Sequence, residues 1–186
     1  MGARTRCPHY ACARSIRRIG LPLDVVGETI VAVDVDDARL ARASELGATH
    51  VVNSRGEDAA ERIIAITGGR GVEYSVDCIG LPAVVRSALE CLQTPGVCAS
   101  VGFQGVPNDI TLDQGHLLFG RSLIGVIEGD AVPQEFVPQM IDLYRQGRFP
   151  FDELITTYPF DEINTALDDV HDAKVTKAVL TFPTPP

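Results

Sequence analysis

Residues 29–53 read TIVAVDVDDARLARASELGATHVVN and carry the repeating unit on which the fold depends. Thr29–Asp34 is a short apolar run, rich in β-branched residues and ending in an acid, which is typical of a buried parallel strand. The spacing that follows predicts a helix to about Leu46, where Gly47 can adopt the left-handed conformation that ends a helix. Ala48–Val52 has the pattern of a second strand. The stretch therefore predicts a strand, a helix and a parallel strand.

Polar residues mark the expected helix starts. Asp36 or Asp37 can cap the first helix by accepting a hydrogen bond from a free backbone amide. The motif SRGE fits a capping box, in which Ser54 and Glu57 each satisfy one amide at the start of a second helix. That helix is expected to run to about Ile66 and to stop at the glycines of TGGRG.

The same alternation continues towards the C-terminus. Strands are expected at Tyr74–Cys78, Val97–Val101, Leu123–Ile127 and Val175–Phe182, and helices near residues 82–92, 132–146 and 160–170. In the helix at 132–146, Pro138 either introduces a kink or is the first helical residue. Strands that alternate with helices predict an α/β fold, a doubly wound parallel sheet with helices on both faces.

Composition excludes several classes of protein. The chain has 186 residues and a net charge of −9, and an acidic chain repels phosphate backbones, so nucleic-acid binding is disfavoured. No apolar run approaches the ~20 residues that a membrane span needs. The five cysteines are odd in number and form no CxxC motif, which favours reduced thiols in a cytoplasmic protein.

The charge is unevenly distributed along the chain. Residues 1–28 carry five arginines and two acids, whereas the remainder is strongly acidic. This break indicates an atypical basic leader at 1–28, followed by a dinucleotide-binding domain at 29–150 and a C-terminal segment at 151–186. A targeting peptide is a less favoured interpretation of the leader, because Pro8, Gly20 and Pro22 interrupt it.

Asp34 is the first candidate functional residue. In dinucleotide-binding folds, an acid at the end of the second strand accepts hydrogen bonds from the adenosine ribose and repels a 2′-phosphate, which favours NAD over NADP. Arg39 lies where the first turn of the next helix can bring it over the same ribose. The alternative is a solvent-facing acid with a surface arginine. The G-x-G-x-x-G turn expected about 20 residues earlier is absent, because residues 9–14 read HYACAR.

Three segments then point to a family: ELGATHVVN (Glu45–Asn53), TGGRGVEYSVDCIG (Thr67–Gly80) and the long segment Glu128–Asp169. Together they resemble the C-terminal part of the zinc-dependent medium-chain alcohol dehydrogenases. The closest resemblance is to the NAD-dependent aryl (benzyl) alcohol branch. The likeness covers about residues 27–182, and it implies an incomplete Rossmann-like sheet whose first strand and glycine turn are missing or replaced.

The resemblance implies a set of NAD-binding residues. Asp34 would hold the ribose, with Arg39 beside the adenosine. The other implied residues are Ile79 and Gly80 at the adenine and its ribose, Val101, Gly102 and Phe103 with backbone beside the nicotinamide, Val126 and Glu128 with backbone at the carboxamide, and Lys177 at the pyrophosphate. Core packing is the alternative role for Ile79, Val101 and Val126.

Zinc is expected in the family but not on this chain. In the family it acts as a Lewis acid on the alcohol oxygen, held by ligands of an N-terminal catalytic domain that this sequence does not contain. The nearest cluster here is Cys7-Pro8-His9 with Cys12, which falls short in ligand number and spacing. No catalytic and no metal-binding residue is therefore expected.

Replacement of the first strand has a structural consequence. It leaves a slot in the sheet between two strands, which Leu21–Val26 is apolar enough to enter in part. Our hypothesis is that residues 1–28 lie outside the family, through a wrong start or a change of reading frame.

Three functions follow as alternatives. The first is a fragment of an NAD-dependent dehydrogenase that oxidises a primary, aromatic alcohol to its aldehyde. The second is a non-catalytic module that binds the cofactor or pairs, through about Arg121–Glu128, with itself or a full-length relative. The third is a degenerate truncated product.

Overall fold

A computed structural model describes residues 29–172 and 174–182, and of residues 11–14 and Asp130 the backbone alone. The chain divides into two compact units, of which the first ends at Asp130 and the second begins at Ala131. The candidate site lies in the first unit.

The first unit is built on a six-stranded sheet. The chain order of its elements is β1 Ala11–Arg14, β2 Ile30–Asp34, α1 Asp37–Glu45, β3 His50–Asn53, α2 Ala59–Ile66, β4 Val72–Asp77, α3 Pro82–Glu90, β5 Leu92–Ser100, α4 Gln114–Leu118 and β6 Arg121–Gly125. The spatial order of the strands is β3-β2-β1-β4-β5-β6. The pairs β2–β3, β4–β5 and β5–β6 are parallel. The predicted α/β, Rossmann-like class is confirmed.

β1 occupies the slot between β2 and β4, and it runs antiparallel to both. Ala13 stands opposite Val31 on one side and Ser75 on the other. The first strand of the family is thus replaced by one of opposite direction, which ends at the edge where its neighbours begin. Leu21–Val26, expected to enter this slot in part, lies outside the described residues.

Apolar side chains pack on both faces of the sheet, because successive residues of a strand point to opposite sides. Val31 of β2 belongs to a core cluster shared with α2 and α3, whereas its neighbour Ala32 packs with Leu40 and Ala43 of α1. Leu89 and Leu92 are fully buried in the larger cluster. Burying each such leucine contributes about 1.5–3 kcal/mol relative to leaving it exposed.

The capping residue predicted from the sequence is confirmed for α1, whereas the one predicted for α2 is not. Asp36 caps α1 by accepting a hydrogen bond from the amide of Arg39 at 3.0 Å. The predicted capping box of Ser54 and Glu57 is wrong. Asp58 is the cap, because its carboxylate accepts from the amides of Ala60 and Glu61 at 2.9 and 3.1 Å, and the helix begins one residue after it.

The described residues of the second unit form two α-helices and two strands, namely α5 Pro133–Arg145, β7 Ile155–Pro159, α6 Ile163–His171 and β8 Lys177–Thr181, with short 3-10 helices at Phe151–Leu154 and Phe160–Glu162. Pro133 occupies the first turn of α5, and Pro138 lies inside the helix. β7 pairs in parallel with β8. Sequence inspection missed β7, although the β-branched and aromatic run of Ile155–Tyr158 is a strand signal.

The helices in the described part of the chain fall short of the length and apolar character that a membrane span requires.

Candidate dinucleotide-binding site

The carboxyl ends of β2, β4, β5 and β6 carry eight of the ten residues singled out in the sequence, and a ninth lies in the helix that follows β2. Asp34 is the last residue of β2, Ile79 and Gly80 follow β4, Val101, Gly102 and Phe103 follow β5, and Val126 and Glu128 follow β6, with Arg39 in the first turns of α1. Because neighbouring parallel strands end at the same edge of a sheet, this is where an open α/β sheet binds ligands. Lys177 is separate from them, as an exposed residue at the start of β8 in the second unit.

Asp34 is buried with only one of its carboxylate oxygens satisfied. Its side chain is 3% exposed, and Oδ1 accepts hydrogen bonds from the amides of Val35 at 2.7 Å and Asp36 at 3.0 Å. Oδ2 is buried and has no hydrogen-bond partner. Leaving such an acceptor unsatisfied costs about 1–3 kcal/mol, which makes this oxygen a candidate acceptor for a donor from a ligand.

Arg39 lies beside this carboxylate. Its Nη1 atom is 3.6 Å from Asp34 Oδ1, and its side chain is 16% exposed. A partly buried guanidinium at this distance reduces the cost of burying the negative charge. Oδ2 remains free to accept a hydrogen bond from a hydroxyl group.

An apolar cavity of about 370 Å³ opens beside Asp34. Val33 and Val35 line it from the end of β2, Ile79 and Leu81 from the segment after β4, and residues of α2 and α3 close its base. This volume lies at the lower end of the range for small-molecule sites. Sequence reasoning missed Val35 and Leu81; the signal for Val35 was its place directly after the strand-end acid.

Asp77 joins the ends of β4 and β5. The carboxylate is fully buried and accepts hydrogen bonds from the amides of Ile79 and Gly80 and from the Ser100 hydroxyl, all at 3.0 Å. Its backbone carbonyl accepts from the amides of Val101 at 2.8 Å and Gly102 at 3.1 Å. Sequence reasoning missed this residue, whose only signal was an acid at the end of an apolar strand.

The two glycines at these strand ends are in direct backbone contact. Gly80 has φ +74°, and a Cβ on Gly102 would lie 2.3 Å from the Gly80 nitrogen. Both positions therefore require glycine. The contact brings the backbones that follow β4 and β5 directly against each other.

The end of β6 continues this edge. The amide of Val126 donates to the carbonyl of Ser100 at 3.0 Å. Glu128 follows with φ +54°, an unusual conformation for a residue with a side chain.

The described residues contain no group of three or more Cys, His, Asp or Glu side chains that could hold a metal ion. They therefore do not fit the zinc site of the family. Cys7 and His9 lie outside the described residues, and only the backbone of Cys12 is described. His116 contacts Arg121, and Cys91 and Cys98 are buried free thiols, so these residues have structural roles.

An open α/β sheet with a buried, half-satisfied acid at the end of β2 and an apolar cavity beside it is the arrangement typical of dinucleotide-binding domains. Comparison with known proteins specifies the family. Residues 23–146 match the family described as zinc-binding dehydrogenase. The chain belongs to the zinc-dependent medium-chain alcohol dehydrogenase family and corresponds to its C-terminal cofactor-binding part.

Individual relatives agree with this assignment. The chain is 40% identical over 160 residues to geraniol dehydrogenase of Castellaniella defragrans, a match that covers 85% of this chain and 43% of that protein. It is 32% identical to alcohol dehydrogenase class-2 isozyme 2 of Oryctolagus cuniculus, covering 82% of this chain and 41% of the relative. The chain thus spans less than half the length of these relatives.

Solved structures show the same correspondence. The benzyl alcohol dehydrogenase of Acinetobacter calcoaceticus superimposes with a TM-score of 0.81 at 36% identity, covering 84% of this chain and 43% of that one. An alcohol dehydrogenase zinc-binding domain protein from Burkholderia ambifaria gives a TM-score of 0.80 at 43% identity, with coverage of 84% and 42%. The resemblance to this family inferred from the sequence is confirmed.

Proposed function

We propose that this chain is the NAD-binding part of a zinc-type alcohol dehydrogenase that oxidises a primary, aromatic alcohol to its aldehyde. The observation that carries the cofactor assignment is the buried Oδ2 of Asp34, which has no partner and belongs to a residue lining an apolar cavity. A ribose hydroxyl is a donor of the right type for this oxygen. The adenine ring would enter the cavity, between Val35 and Ile79.

The remaining residues have roles in this proposal. Arg39 would lie over the adenosine, and the paired glycine backbones would allow the cofactor to cross the edge of the sheet. The backbone of Val101, Gly102 and Phe103 would face the nicotinamide, and that of Val126 and Glu128 its carboxamide. Lys177 would reach the pyrophosphate.

When NAD is bound, it supplies the acceptor for the hydride that leaves the alcohol carbon. The carboxylate of Asp34 would orient the adenosine half and discriminate against a 2′-phosphate through charge repulsion. Because residues 9–14 lack the G-x-G-x-x-G motif that would cradle the pyrophosphate, we expect weaker NAD binding than in full-length relatives. The alcohol-binding and zinc-binding functions belong to a part of the family architecture that the described residues do not contain.

The proposal of an aromatic alcohol as substrate is based on the relatives of this chain and not on the geometry of its site. Two of these relatives are proteins named benzyl alcohol dehydrogenase and geraniol dehydrogenase. Both names specify primary alcohols, the first of them aromatic. A small-molecule alcohol is accordingly the proposed substrate of the complete enzyme, and a cytoplasmic location remains a prediction.

Titration of the 186-residue chain with NADH, followed by nicotinamide fluorescence, tests the cofactor assignment. We expect NADH to bind about tenfold or more tightly than NADPH, because a 2′-phosphate would lie against the Asp34 carboxylate. Asp34→Asn should weaken NADH binding about tenfold and reduce this preference, since the amide replaces an acceptor with a donor.

Glu61→Gln is the matched control, because it removes one negative charge from an exposed position of α2. It should leave both affinities within about twofold of the wild-type values. Equal binding of NADH and NADPH by the wild type, or no binding of either, contradicts the proposal.

The second candidate function is assembly with another copy of the chain. β6 is the outermost strand in the sheet order, and Ile124 and Ile127 near its end are 46% and 85% exposed. Phe119, just before the strand, is 71% exposed. An outer strand flanked by exposed apolar side chains is a surface suited to strand pairing with a partner.

A further inference from the structure

The segment that follows β5 is held against the turn that follows β4 by two side-chain amides. Gln104 Nε2 donates to the carbonyl of Ile79 at 2.6 Å, and Asn108 Nδ2 donates to the carbonyl of Gly80 at 2.7 Å. These bonds join residues 25 and 28 positions apart. Because the acceptors are carbonyl oxygens, only the NH2 group of each amide can make the bond.

These amides complete the hydrogen bonding of the turn. The amide groups of Ile79 and Gly80 are bound by the buried carboxylate of Asp77, so their carbonyl oxygens are the groups left to satisfy. Gln104 and Asn108 satisfy both. Asp77 thus fixes the N–H groups of Ile79 and Gly80, and the two side-chain amides fix their C=O groups. The peptide planes of the turn between Asp77 and Leu81 therefore have little freedom to rotate.

The same two hydrogen bonds also hold the loop that carries Gln104 and Asn108. Val101 and Gly102 are anchored by the carbonyl of Asp77, but the chain beyond Phe103 is exposed, with Val106 89% exposed. Within the loop between Phe103 and α4, Leu112 packs against the core, whereas the stretch around Val106 contributes little buried apolar surface. The two amides attach this exposed stretch to the turn after β4.

We propose that Gln104 and Asn108 are positioning residues that lock the nicotinamide-facing backbone of Val101–Phe103 to the adenosine-side turn at Ile79–Gly80. The two halves of the dinucleotide would then be bordered by one rigid element rather than two independent loops. This inference rests on the proposed NAD-binding function. It adds residues whose side chains act on the cofactor only through the backbone that they hold.

Asn108→Asp and Gln104→Glu test the role, because each keeps the shape of the side chain and removes the donor. The ligands are NADH and ADP-ribose, which lacks the nicotinamide, measured by titration calorimetry on the complete chain. Each variant should weaken NADH binding about tenfold and leave ADP-ribose binding within about twofold of the wild-type value. A role confined to general stability would instead lower both affinities together.

Hydrogen exchange of the unliganded chain gives a second measurement that does not depend on a ligand. In either variant, peptides covering residues 101–105 should exchange faster, while those from β2 and α1 and the amides of Ile79 and Gly80, which Asp77 holds, stay unchanged. Asn164→Asp is the matched control, since it makes the same chemical change at an exposed position of α6 in the other unit. Gln104 is exposed, so Gln104→Glu remains informative if Asn108→Asp does not fold.

The outcomes separate this inference from the function on which it rests. If the wild type binds both ligands and the variants lose NADH and ADP-ribose affinity equally, or lose neither, the positioning role is wrong and the NAD-binding function stands. If the wild type binds neither ligand, both the proposed function and the positioning role are wrong. Unchanged exchange at residues 101–105 in both variants also contradicts the inference.

Discussion

Gly102 packs against Gly80 so closely that a Cβ on Gly102 would lie 2.3 Å from the Gly80 nitrogen and 2.4 Å from the carbonyl carbon of Ile79. Neither neighbour is the movable end of a side chain, so the backbone itself would have to shift. The ends of β4 and β5 are therefore joined by contact as well as by the hydrogen bonds to Asp77. This junction lies at the centre of the proposed NAD-binding edge.

Gly102→Ala should destabilise the first unit by about 3 kcal/mol, because the added methyl group has no space between two backbone segments. Thermal unfolding followed by circular dichroism measures the effect. Gly56→Ala is the control, since a Cβ at Gly56 meets nothing within 4 Å. Equal stability of the two variants would show that the β4–β5 junction can relax at little cost.

Acid should weaken the second unit through Asp169. This carboxylate accepts hydrogen bonds from Lys174 Nζ at 3.0 Å and the Tyr158 hydroxyl at 2.9 Å, and the bonds from Lys174 and then Tyr158 hold the pKa of Asp169 below its ordinary value. A lowered pKa means that the stabilisation is complete above about pH 4 and is lost as the pH falls through the folded-state pKa. The Tm of the wild type should accordingly fall in strong acid.

Asp169→Asn removes this dependence. The variant should have a lower Tm than the wild type at pH 7, and the difference should shrink towards pH 2. Asp142→Asn serves as control, because Asp142 is an exposed carboxylate 3.5 Å from Arg145 on one turn of helix. A constant gap between wild type and Asp169→Asn across this range would mean that protonation of Asp169 is not coupled to folding.

Ile124→Lys tests pairing through the outer strand. Sedimentation velocity of the wild type should show a concentration-dependent dimer, and the variant should be monomeric because a lysine desolvated in an apolar contact is costly. Leu167→Lys, at a 60% exposed position of α6, should leave the dimer intact. A wild-type chain that sediments as a monomer at all concentrations would exclude self-assembly as its function.

The 186-residue chain alone should oxidise no benzyl alcohol. A catalytic zinc site needs three protein ligands and an open position, and the described residues contain no such group. NADH formation from NAD and benzyl alcohol, measured by absorbance with and without added zinc, should equal that of a chain-free control. Zinc-dependent NADH production would show that ligands are assembled from the remaining residues.

The regular part of the fold was readable in the sequence because its signals are local. The apolar run at Thr29–Asp34 identified β2, the position of Asp34 at its end identified the candidate ribose acid, and Gly47 marked the end of α1 at φ +108°. Each depends on residues within a turn or a strand of one another. Three family segments in order then specified the family.

The features of the fold and the site that could not be predicted from the sequence depend on contacts between residues far apart in the chain. β1 pairs with β2 and β4 at once and runs antiparallel to both, a direction that the segment HYACAR does not encode by itself. Asp77 is fully buried only because the ends of β4 and β5 meet around it. Asn108 reaches Gly80 across 28 residues, and Gly102 needs to be glycine only because Gly80 lies against it. Periodicity specifies which face of an element is apolar, whereas hydrogen bonding and close packing between elements decide how their ends form a site.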